Sequence, residues 1–469
     1  MSLSRILGTL LLLSVFSLKV QAQTATVTWG TVYQKIEGFG AYDDGQYGIN
    51  LTPAQLDQVF STTATPGAGL SLLRTQVPDG GSNHPGNCSS IGTGCSVTIT
   101  DLQGAIARGA KVWATSWSPP ASLKSNGSVI CNTGSGNASL NASSYSAFAT
   151  WQSNYIASLS AVGIPLYVIS VQNEPDYCPT TYEGAVWTAA QFDTYVKTNL
   201  GPTLAANGQS GVKIMMPETG HSNELSSYAD TAFTDSAALA YLSIAATHDY
   251  DYDSSTEGFQ INLSQSTYPN AQSNGKELWE TEVYGQISGN SGTYDPSITD
   301  ALGWAQNIHS WMVNANANAW HWWTITGPET DNEALYGTDQ TTPAKRLWAI
   351  GNYSRFVRPG FVRIDATATP QAGVLVSAYK QTSSGNFAIV VINHNASSVS
   401  QGFSLVGFTT SSVAPWITSA SLNLIQQSNI SVSGNSFSYT LPADSVTTFV
   451  GVAGGAAPSP PADLKVTVQ

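Results

Sequence analysis

The sequence predicts an α/β protein in which a (β/α)8 barrel, or TIM barrel, carries an attached side β-sandwich. From Gly38 to about Arg355, short apolar runs rich in β-favouring residues alternate with longer stretches of helical periodicity, as in parallel strands joined by helices. Eight such runs are present, which is the number that closes a barrel. After Pro359 the pattern changes to alternating strands separated by Gly, Ser and Asn turns, which predicts the sandwich.

The predicted barrel strands share a short, β-rich apolar sequence that often ends in polar residues. They are residues 38–43, 70–77, 111–118, 166–175, 212–218, 245–250, 276–283 and 317–324.

Helices are expected in the connections between these strands. Thr52 is suited to cap a helix whose first turn contains Pro53. A longer helix places large apolar side chains at intervals of three and four residues and ends at Gly163. The predicted helices include residues 54–60, 144–162, 191–204 and 298–313.

The two ends of the chain differ from the predicted domains. Arg5 precedes an apolar run and a group of small residues, which is the pattern of a secretory signal peptide. We therefore expect a secreted, extracellular protein. The predicted segments are a signal peptide at 1–22, the catalytic barrel at 38–355, the side sandwich at 24–37 and 356–452, and a linker with a tail at 453–469.

The composition narrows the class of partner. Only 10% of residues are charged and the formal net charge is −13, so few basic side chains are available to contact phosphates, and nucleic acid is not expected. No apolar stretch after the signal peptide is long enough to cross a membrane. Twenty Tyr and thirteen Trp suit a carbohydrate ligand, with an aromatic core as the alternative. We expect a monomer, and no CxxC motif or histidine cluster indicates a metal or other cofactor.

Four cysteines permit three pairings in an oxidising compartment. We favour a pair of Cys88 with Cys95, which closes a short loop, and a pair of Cys131 with Cys178, which ties two longer loops together.

Two carboxylates stand at predicted strand ends, where the active site of such a barrel is built. Glu174 is followed by Pro175 at the exit of the fourth barrel strand, and Glu282 lies at the end of the seventh. A single acidic strand end is more often a helix cap or an ion pair. Two of them on opposite sides of the mouth suit glycoside hydrolysis with retention, which requires a carboxylic acid and a nucleophilic carboxylate. The residues alone leave open which glutamate has which role.

The motifs around these residues resemble glycoside hydrolase family 30, in the branch of bacterial xylanases and glucuronoxylanases. The resemblance covers nearly the whole chain after the signal peptide, and its motifs together are highly specific. They are Gly38-Phe-Gly40, Trp117-Ser-Pro-Pro120, Leu123 to Gly127, Ile169-Ser-Val-Gln-Asn-Glu-Pro-Asp176, Trp187 to Phe192, Trp279-Glu-Thr-Glu282, Trp322-Trp323 and Arg355-Phe-Val-Arg-Pro-Gly360.

The resemblance implies an endo-β-1,4-xylanase-like enzyme with Glu174 as acid/base and Glu282 as nucleophile. It also implies that the sugar pocket is lined by Trp117, Asn173, Tyr250 and Trp323, with Tyr250 touching the nucleophile. The two tryptophans have a second interpretation as plain core residues. Tyr177 and Tyr284 follow the two catalytic strands, and we predict that they stack against sugar rings.

The stretch after the tryptophan pair departs from the family pattern. Members that require a glucuronate branch carry arginines there, which clamp the uronate carboxylate with two hydrogen bonds. Here residues 324–329 contain no arginine, and the acidic residues Glu329, Asp331 and Glu333 lie nearby. We therefore predict cleavage of the β-1,4-xylan main chain without a requirement for glucuronate, or else a different sugar preference.

Two further departures concern the site itself. Glu280 points to the same side of its strand as Glu282 and replaces the apolar residue usual in the family, so its carboxylate requires a partner. Arg74 on the second barrel strand is placed to neutralise one of the two. The loop over residues 41–46 replaces the small residues that the family pattern has after Gly40, and Tyr42, Asp43 and Asp44 are expected to narrow one end of the cleft.

Two rival functions remain at this stage. A family 30 enzyme acting on β-1,6-galactan or β-1,6-glucan would use the same carboxylates. A non-catalytic carbohydrate-binding protein is the alternative of a different class, and the presence of both glutamates disfavours it. The side sandwich is expected to brace the barrel, since Trp416 is its one tryptophan that looks exposed.

Overall fold

The computed structural model describes residues 23–43, 49–80, 96–134, 136–251, 261–285, 294–327, 332–337 and 339–454. Several predictions fall outside these ranges: the signal peptide, the pair of Cys88 with Cys95, Asp44 in the loop over residues 41–46, the acidic residues Glu329 and Asp331, and the tail beyond residue 454.

The barrel predicted from the sequence is confirmed. The first strand of the chain, β1 (Thr24–Lys35), belongs to a separate sheet, and the eight strands that follow close a parallel barrel in which β2 pairs with both β3 and β9. Their bounds are β2 Gly38–Tyr42, β3 Leu72–Gln76, β4 Lys111–Thr115, β5 Leu166–Ser170, β6 Lys213–Thr219, β7 Leu242–Thr247, β8 Glu277–Glu280 and β9 Ala319–Thr324.

Helices occupy the connections between these strands. They are α1 Pro53–Phe60, α2 Ser96–Ile106, α3 Tyr145–Ala161, α4 Ala189–Tyr195, α5 Gly201–Ala206, α6 Leu225–Thr234, α7 Ser236–Leu239, α8 Pro269–Gln272, α9 Ile298–Val313 and α10 Lys345–Ser354. Thr52 caps α1 through a reciprocal pair of hydrogen bonds with Gln55. The helix predicted over 191–204 consists of α4 and α5 joined by a π-helical turn at Val196–Leu200. Pro202 has no N–H to continue the regular ladder, which accounts for the wider turn.

The inside of the barrel is packed with side chains. Leu72, Trp113, Val168 and Trp279 are among the fully buried residues that fill it. A filled interior leaves no channel, so a ligand can reach the strands only at their ends. The strand ends that carry Glu174 and Glu282 are the carboxyl ends, where the loops are long enough to form a cleft.

The side domain is a sheet that curls onto itself. Its strands after β1 are β10 Val362–Ala366, β11 Val374–Lys380, β12 Asn386–Asn393, β13 Val399–Val406, β14 Ser412–Thr418, β15 Ile425–Gln426, β16 Ile430–Ser431, β17 Ser436–Leu441 and β18 Ser445–Val452. The order is β15-β14-β18-β12-β11-β10-β1-β13-β17, with β16 on β14. Phe449 of β18 nevertheless contacts Phe403 of β13 and Phe437 of β17, with ring centroids 5.2 Å apart in each pair. The two halves of the sheet therefore face each other across an apolar core, as in a sandwich.

The sheet is fixed to the barrel through its central strands. Along β12, Ile389 and Val391 point into the core of the side domain, whereas Val390 and Ile392 belong to the core that continues into the barrel helices. The alternation of side chains along one strand thus builds both cores. Trp416, which looks exposed from the sequence, is partly buried and lies 4.9 Å beneath the Arg355 guanidinium of the barrel.

Among the residues that the structure describes, no helix combines the length and the apolar character needed to cross a lipid bilayer.

Candidate active site

The structure brings Glu174 and Glu282 together at the carboxyl end of the barrel. One side-chain oxygen of each lies within 4.8 Å of the other and of a ring nitrogen of His248. Retaining glycosidases hold their two carboxyl groups about 5–5.5 Å apart, whereas inverting enzymes leave about 6.5–9.5 Å for a water molecule. The separation here therefore suits a direct attack by one carboxylate while the other transfers a proton.

The backbone at two strand ends is strained in a way that aims carboxylates into the site. Glu174 and Glu218 both have left-handed backbone angles, with φ of 43° and 57°. Such a conformation costs about 1–3 kcal/mol for a residue with a side chain and persists only when its surroundings enforce it. Here the Glu174 N–H donates to the Glu218 carbonyl at 2.9 Å, so the two strained residues hold each other.

Arg74 is the buried cation of the site. Its guanidinium donates to Glu282, to the Asn173 side-chain oxygen at 2.5 Å and to Glu218 at 3.1 Å. Glu218 also accepts a hydrogen bond from Thr115 at 2.5 Å. Burial by itself lowers the pKa of Arg74, but Glu218 and Glu282 raise it above its usual value, so the guanidinium stays charged. Arg74 therefore neutralises Glu282 and not Glu280, which resolves the choice that the sequence left open.

Glu282 is held from its other side by Tyr250. The phenol O–H donates to the carboxylate at 2.8 Å. Burial, followed by the charge of Glu282, raises the pKa of Tyr250 well above its usual value, so the phenol remains a donor. With Arg74 and Tyr250 as donors on its two oxygens, the Glu282 side chain is held in one orientation.

His248 joins the two glutamates. Its Nδ1 lies 3.1 Å from Glu174 and 3.6 Å from Glu282, and its Nε2 lies 3.8 Å from Glu218. Burial lowers the pKa of the imidazole, but the three carboxylates outweigh it and raise the pKa to about 10. The ring is therefore a cation at neutral pH.

The environment of Glu174 is that of a proton donor. Burial is the largest influence and raises the pKa of its carboxyl, against the lowering effect of His248, and the negative charge of Glu282 raises it further. A carboxyl group whose pKa is raised is suited to hold a proton and give it up, which is what general acid catalysis requires.

Asn173 and the aromatic residues surround these groups. Trp117 lies with its ring 4.6 Å from the Arg74 guanidinium, and Trp323 stacks on Tyr42 at 4.6 Å. Trp117 is buried and Trp323 is only partly so. The structure thus places both tryptophans at the mouth, beside the charged cluster, and not in the barrel interior. Tyr42, the last residue of β2, is packed against both of them.

The two tyrosines predicted to stack on sugar rings lie at different places. The Tyr284 ring packs edge-on against Tyr250 at 5.6 Å, so it stands on the Glu282 side of the site. Tyr177 follows Glu174 by three residues, is 48% exposed, and has Tyr182 as its neighbour at 6.3 Å. The adjacent Cys178 forms the predicted disulfide with Cys131, which is confirmed and ties this loop to the one after β4.

Glu218 and His248 are the site residues that the sequence argument missed. They lie at the ends of the fifth and sixth barrel strands, which is the same signal that identified Glu174 and Glu282. That signal could have found both.

A metal is a poor fit for these residues. Among the described residues, Glu174, His248 and Glu282 form the one group with the spacing of metal ligands. A cationic imidazole has no lone pair to offer, and the positive charges of His248 and Arg74 oppose a cation. The arrangement suits proton transfer and nucleophilic attack.

Comparison with known proteins gives one family match and three similar proteins. Residues 98–331 match the family model described as the glycosyl hydrolase family 30 TIM-barrel domain. The glucuronoxylanase XynC of Bacillus subtilis is 34% identical over 434 residues, which cover 92% of each chain. Among solved structures, the glycoside hydrolase family 30 subfamily 8 xylanase Xyn30A of Clostridium acetobutylicum has a TM-score of 0.77 at 32% identity, and covers 92% of this chain and 100% of its own. The GH30 endoxylanase of Clostridium papyrosolvens C71 has a TM-score of 0.75 at 30% identity with the same coverage.

Proposed function

This chain belongs to glycoside hydrolase family 30, and from that premise we propose that it is a secreted retaining enzyme that cleaves the β-1,4-xylan main chain without requiring a glucuronate branch. The observation that carries the proposal is that one side-chain oxygen of Glu174 lies within 4.8 Å of one of Glu282, while the pKa of Glu174 is raised and Glu282 is bonded to Arg74 and Tyr250.

Glu174 and Glu282 take different roles because their partners differ. In the first step a Glu282 oxygen attacks the anomeric carbon while Glu174 gives its proton to the glycosidic oxygen, and the leaving sugar departs as an alcohol. In the second step Glu174, now a carboxylate, takes a proton from water, and the resulting hydroxide displaces Glu282 from the anomeric carbon. Two inversions give net retention.

The other site residues orient the sugar and balance charge. The Asn173 amide is fixed by Arg74 beside the nucleophile, where it can bind the 2-hydroxyl of the sugar, a contact that strengthens in the transition state. Trp117, Trp323 and Tyr284 present aromatic surface around the same point, which suits the apolar faces of sugar rings. Tyr177 is proposed to stack on a sugar on the leaving-group side, since it lies on the loop that follows Glu174.

The similar proteins support xylan as the substrate. Independence from glucuronate is supported because the arginines near the mouth are already bound by other groups of the protein. Arg74 is bound by Glu218 and Glu282, and Arg346 is bound by Asp300 and two backbone carbonyl oxygens behind Trp322. In the described part of the stretch after Trp323, residues 324–327 and 332–337, there is no basic side chain. A uronate carboxylate therefore finds no free guanidinium there.

One experiment tests substrate and stereochemistry together. The protein without residues 1–22 would be incubated with glucuronoxylan, linear xylo-oligosaccharides, β-1,6-galactan and β-1,6-glucan, while NMR follows the anomer released first. We expect β-anomeric xylo-oligosaccharides from both branched and linear xylan. Products cut only at a fixed distance from a uronate would contradict independence from glucuronate, and cleavage of a β-1,6-glycan alone would keep the mechanism but reject the substrate.

Export is tested separately with the full chain. Expression in a host that secretes proteins should place the enzyme in the medium with an N-terminus close to Gln23, which N-terminal sequencing measures. Retention inside the cell with residues 1–22 still attached would reject this part of the proposal.

A further inference from the structure

We propose that Glu280 is a positioning residue for the nucleophile: its carboxyl group bridges a gap between two barrel strands and thereby fixes the peptide that carries Glu282. The inference rests on the proposed function only in taking Glu282 as the nucleophile. Glu280 is fully buried, and its two side-chain oxygens accept hydrogen bonds from backbone N–H groups. The site residues described above instead bond one another through their side chains.

The strands β8 and β9 separate just where the nucleophile lies. Their ladder contains a single residue pair, Trp279 with Ala319, whereas β7 and β8 share four pairs that end at Glu280. Further along, Trp323 N–H donates to the Val283 carbonyl at 2.9 Å, so the strands meet again beyond Glu282. Residues 280–282 therefore lack the regular sheet bonds toward β9 that would otherwise hold them.

The Glu280 side chain supplies bonds in this gap. Its Oε1 accepts the backbone N–H of Glu282 at 2.9 Å, and its Oε2 accepts the backbone N–H of His321 on β9 at 2.7 Å. One carboxyl group thus takes the place of the missing ladder and connects the nucleophile's own peptide to the neighbouring strand. An apolar side chain at position 280 would leave both N–H groups without this acceptor.

The His321 ring adds a further hydrogen bond between β9 and β8. The Trp113 indole N–H can only donate, so His321 Nε2, 3.0 Å away, is the acceptor and the ring proton lies on Nδ1. Nδ1 then donates to the Glu280 carbonyl at 2.8 Å. Burial lowers the pKa of His321 to about 3, which agrees with this neutral form. The ring fits only because Gly40 has no side chain, since a Cβ there would lie 2.4 Å from His321 Cδ2.

The charge of Glu280 is consistent with a positioning role. Burial raises the pKa of its carboxyl well above the usual value, and the N–H groups of His321 and Glu282 only partly offset this. This raised pKa disfavours a second negative charge next to Glu282, and Glu280 bonds backbone N–H groups and not Arg74, so it orients the nucleophile without competing for the guanidinium.

The test compares Glu280→Met, Glu280→Gln and the matched control Glu277→Gln. Glu277 lies on the same strand and bonds Lys213 and the Trp279 indole, but it has no contact with Glu282. Methionine removes both acceptors. Glutamine keeps one oxygen acceptor and turns an NH2 group toward the other N–H, so it should recover part of the activity.

Each variant would be assayed for kcat and KM on the best glycan substrate, and for the rate at which a 2-deoxy-2-fluoro glycosyl fluoride of the same sugar labels Glu282, followed by mass spectrometry. We expect Glu280→Met to lower kcat and the labelling rate by about 100-fold with KM within about threefold, since a displacement of about 1 Å can cost that much. Glu280→Gln should lose about tenfold, because one of the two bonds survives. Glu277→Gln should keep both rates near those of the unmodified protein.

Two results would overturn the proposal. One is a folded Glu280→Met variant, checked by circular dichroism and thermal unfolding, that keeps its labelling rate. The other is an equal loss in Glu280→Gln and Glu277→Gln, which would indicate general damage to β8. If Glu280→Met does not fold, the ratio between the two glutamine variants decides. Absence of xylan cleavage by the unmodified protein rejects the substrate proposed above, and the same comparison then proceeds on the glycan that is cleaved.

Discussion

The mouth of the barrel and the interior of the side sheet both contain many buried side chains, but they are built from opposite kinds of side chain. The mouth holds three carboxyl groups, the buried Glu218 and Glu282 and the partly buried Glu174, together with the buried cations Arg74 and His248. The side sheet is filled by aromatic and aliphatic residues such as Phe403, Phe437 and Phe449.

The difference shows which part of the molecule carries stability and which carries chemistry. Burying apolar area stabilises a fold by about 25 cal/mol per Å² and needs no partner group. Buried charges cost several kcal/mol each and are tolerated only when each one is paired. The mouth is thus a place where removal of one group disturbs several others, whereas the side sheet should respond to each substitution locally.

The largest expected effect is a loss of activity at the mouth without a loss of folding. Glu282→Gln removes the attacking carboxylate, and kcat should fall by a factor on the order of 10⁴ because the covalent route is lost. Thermal unfolding should show that the variant still folds, because Arg74 keeps Glu218 and Asn173 as acceptors. Glu277→Gln on the same strand is the control. Full activity of Glu282→Gln would falsify its assignment as nucleophile.

The next effect tests whether the mouth behaves as one unit. Arg74→Met leaves Glu218 and Glu282 buried without the guanidinium that bonds both of them, and breaking a buried pair in this way costs about 3–5 kcal/mol. We expect both a lower free energy of unfolding in urea and a loss of kcat. If stability falls while kcat is unchanged, the guanidinium is not needed to hold the nucleophile.

The corresponding change in the side sheet should affect stability alone. Phe449→Ala empties space between two facing halves of the sheet and should cost about 3–5 kcal/mol. Because its contacts lie in the core of the side domain, kcat measured well below the unfolding temperature should not change. A loss of kcat in the folded variant would show that the sheet does more than brace the barrel.

The smallest expected effect is a displacement of the pH profile. His248 lowers the pKa of Glu174 by its hydrogen bond and charge, so His248→Asn should raise that pKa and move the alkaline limb of kcat/KM to higher pH. The sign follows because the limb reflects loss of the proton from the acid. His309→Asn, a buried histidine of α9 whose pKa is lowered to about 4, is the matched control and should leave the limb in place. A shift to lower pH would contradict the assignment of Glu174 as the acid.

Much of the fold could be predicted because its signals are local. The alternation of strands and helices, the Thr52 cap and the strand-end glutamates are each contained in a few neighbouring residues. Glu218 and His248 also stand at strand ends, so the sequence could have placed them in the site by the same reasoning. The π-helical turn before Pro202 was not predicted, since it depends on how one missing N–H is absorbed by the helix around it.

The sequence by itself determined the family, the barrel and the positions of the two glutamates, because strand ends are defined along the chain. Only the tertiary structure decided which carboxylate pairs with Arg74, that His248 bridges the two glutamates, and that Glu280 bonds the N–H groups of two strands. Apart from the bond between Glu280 and Glu282, those contacts join residues tens to hundreds of positions apart, and the energy of a buried charge depends on every neighbour within a few ångströms. No local pattern contains that information.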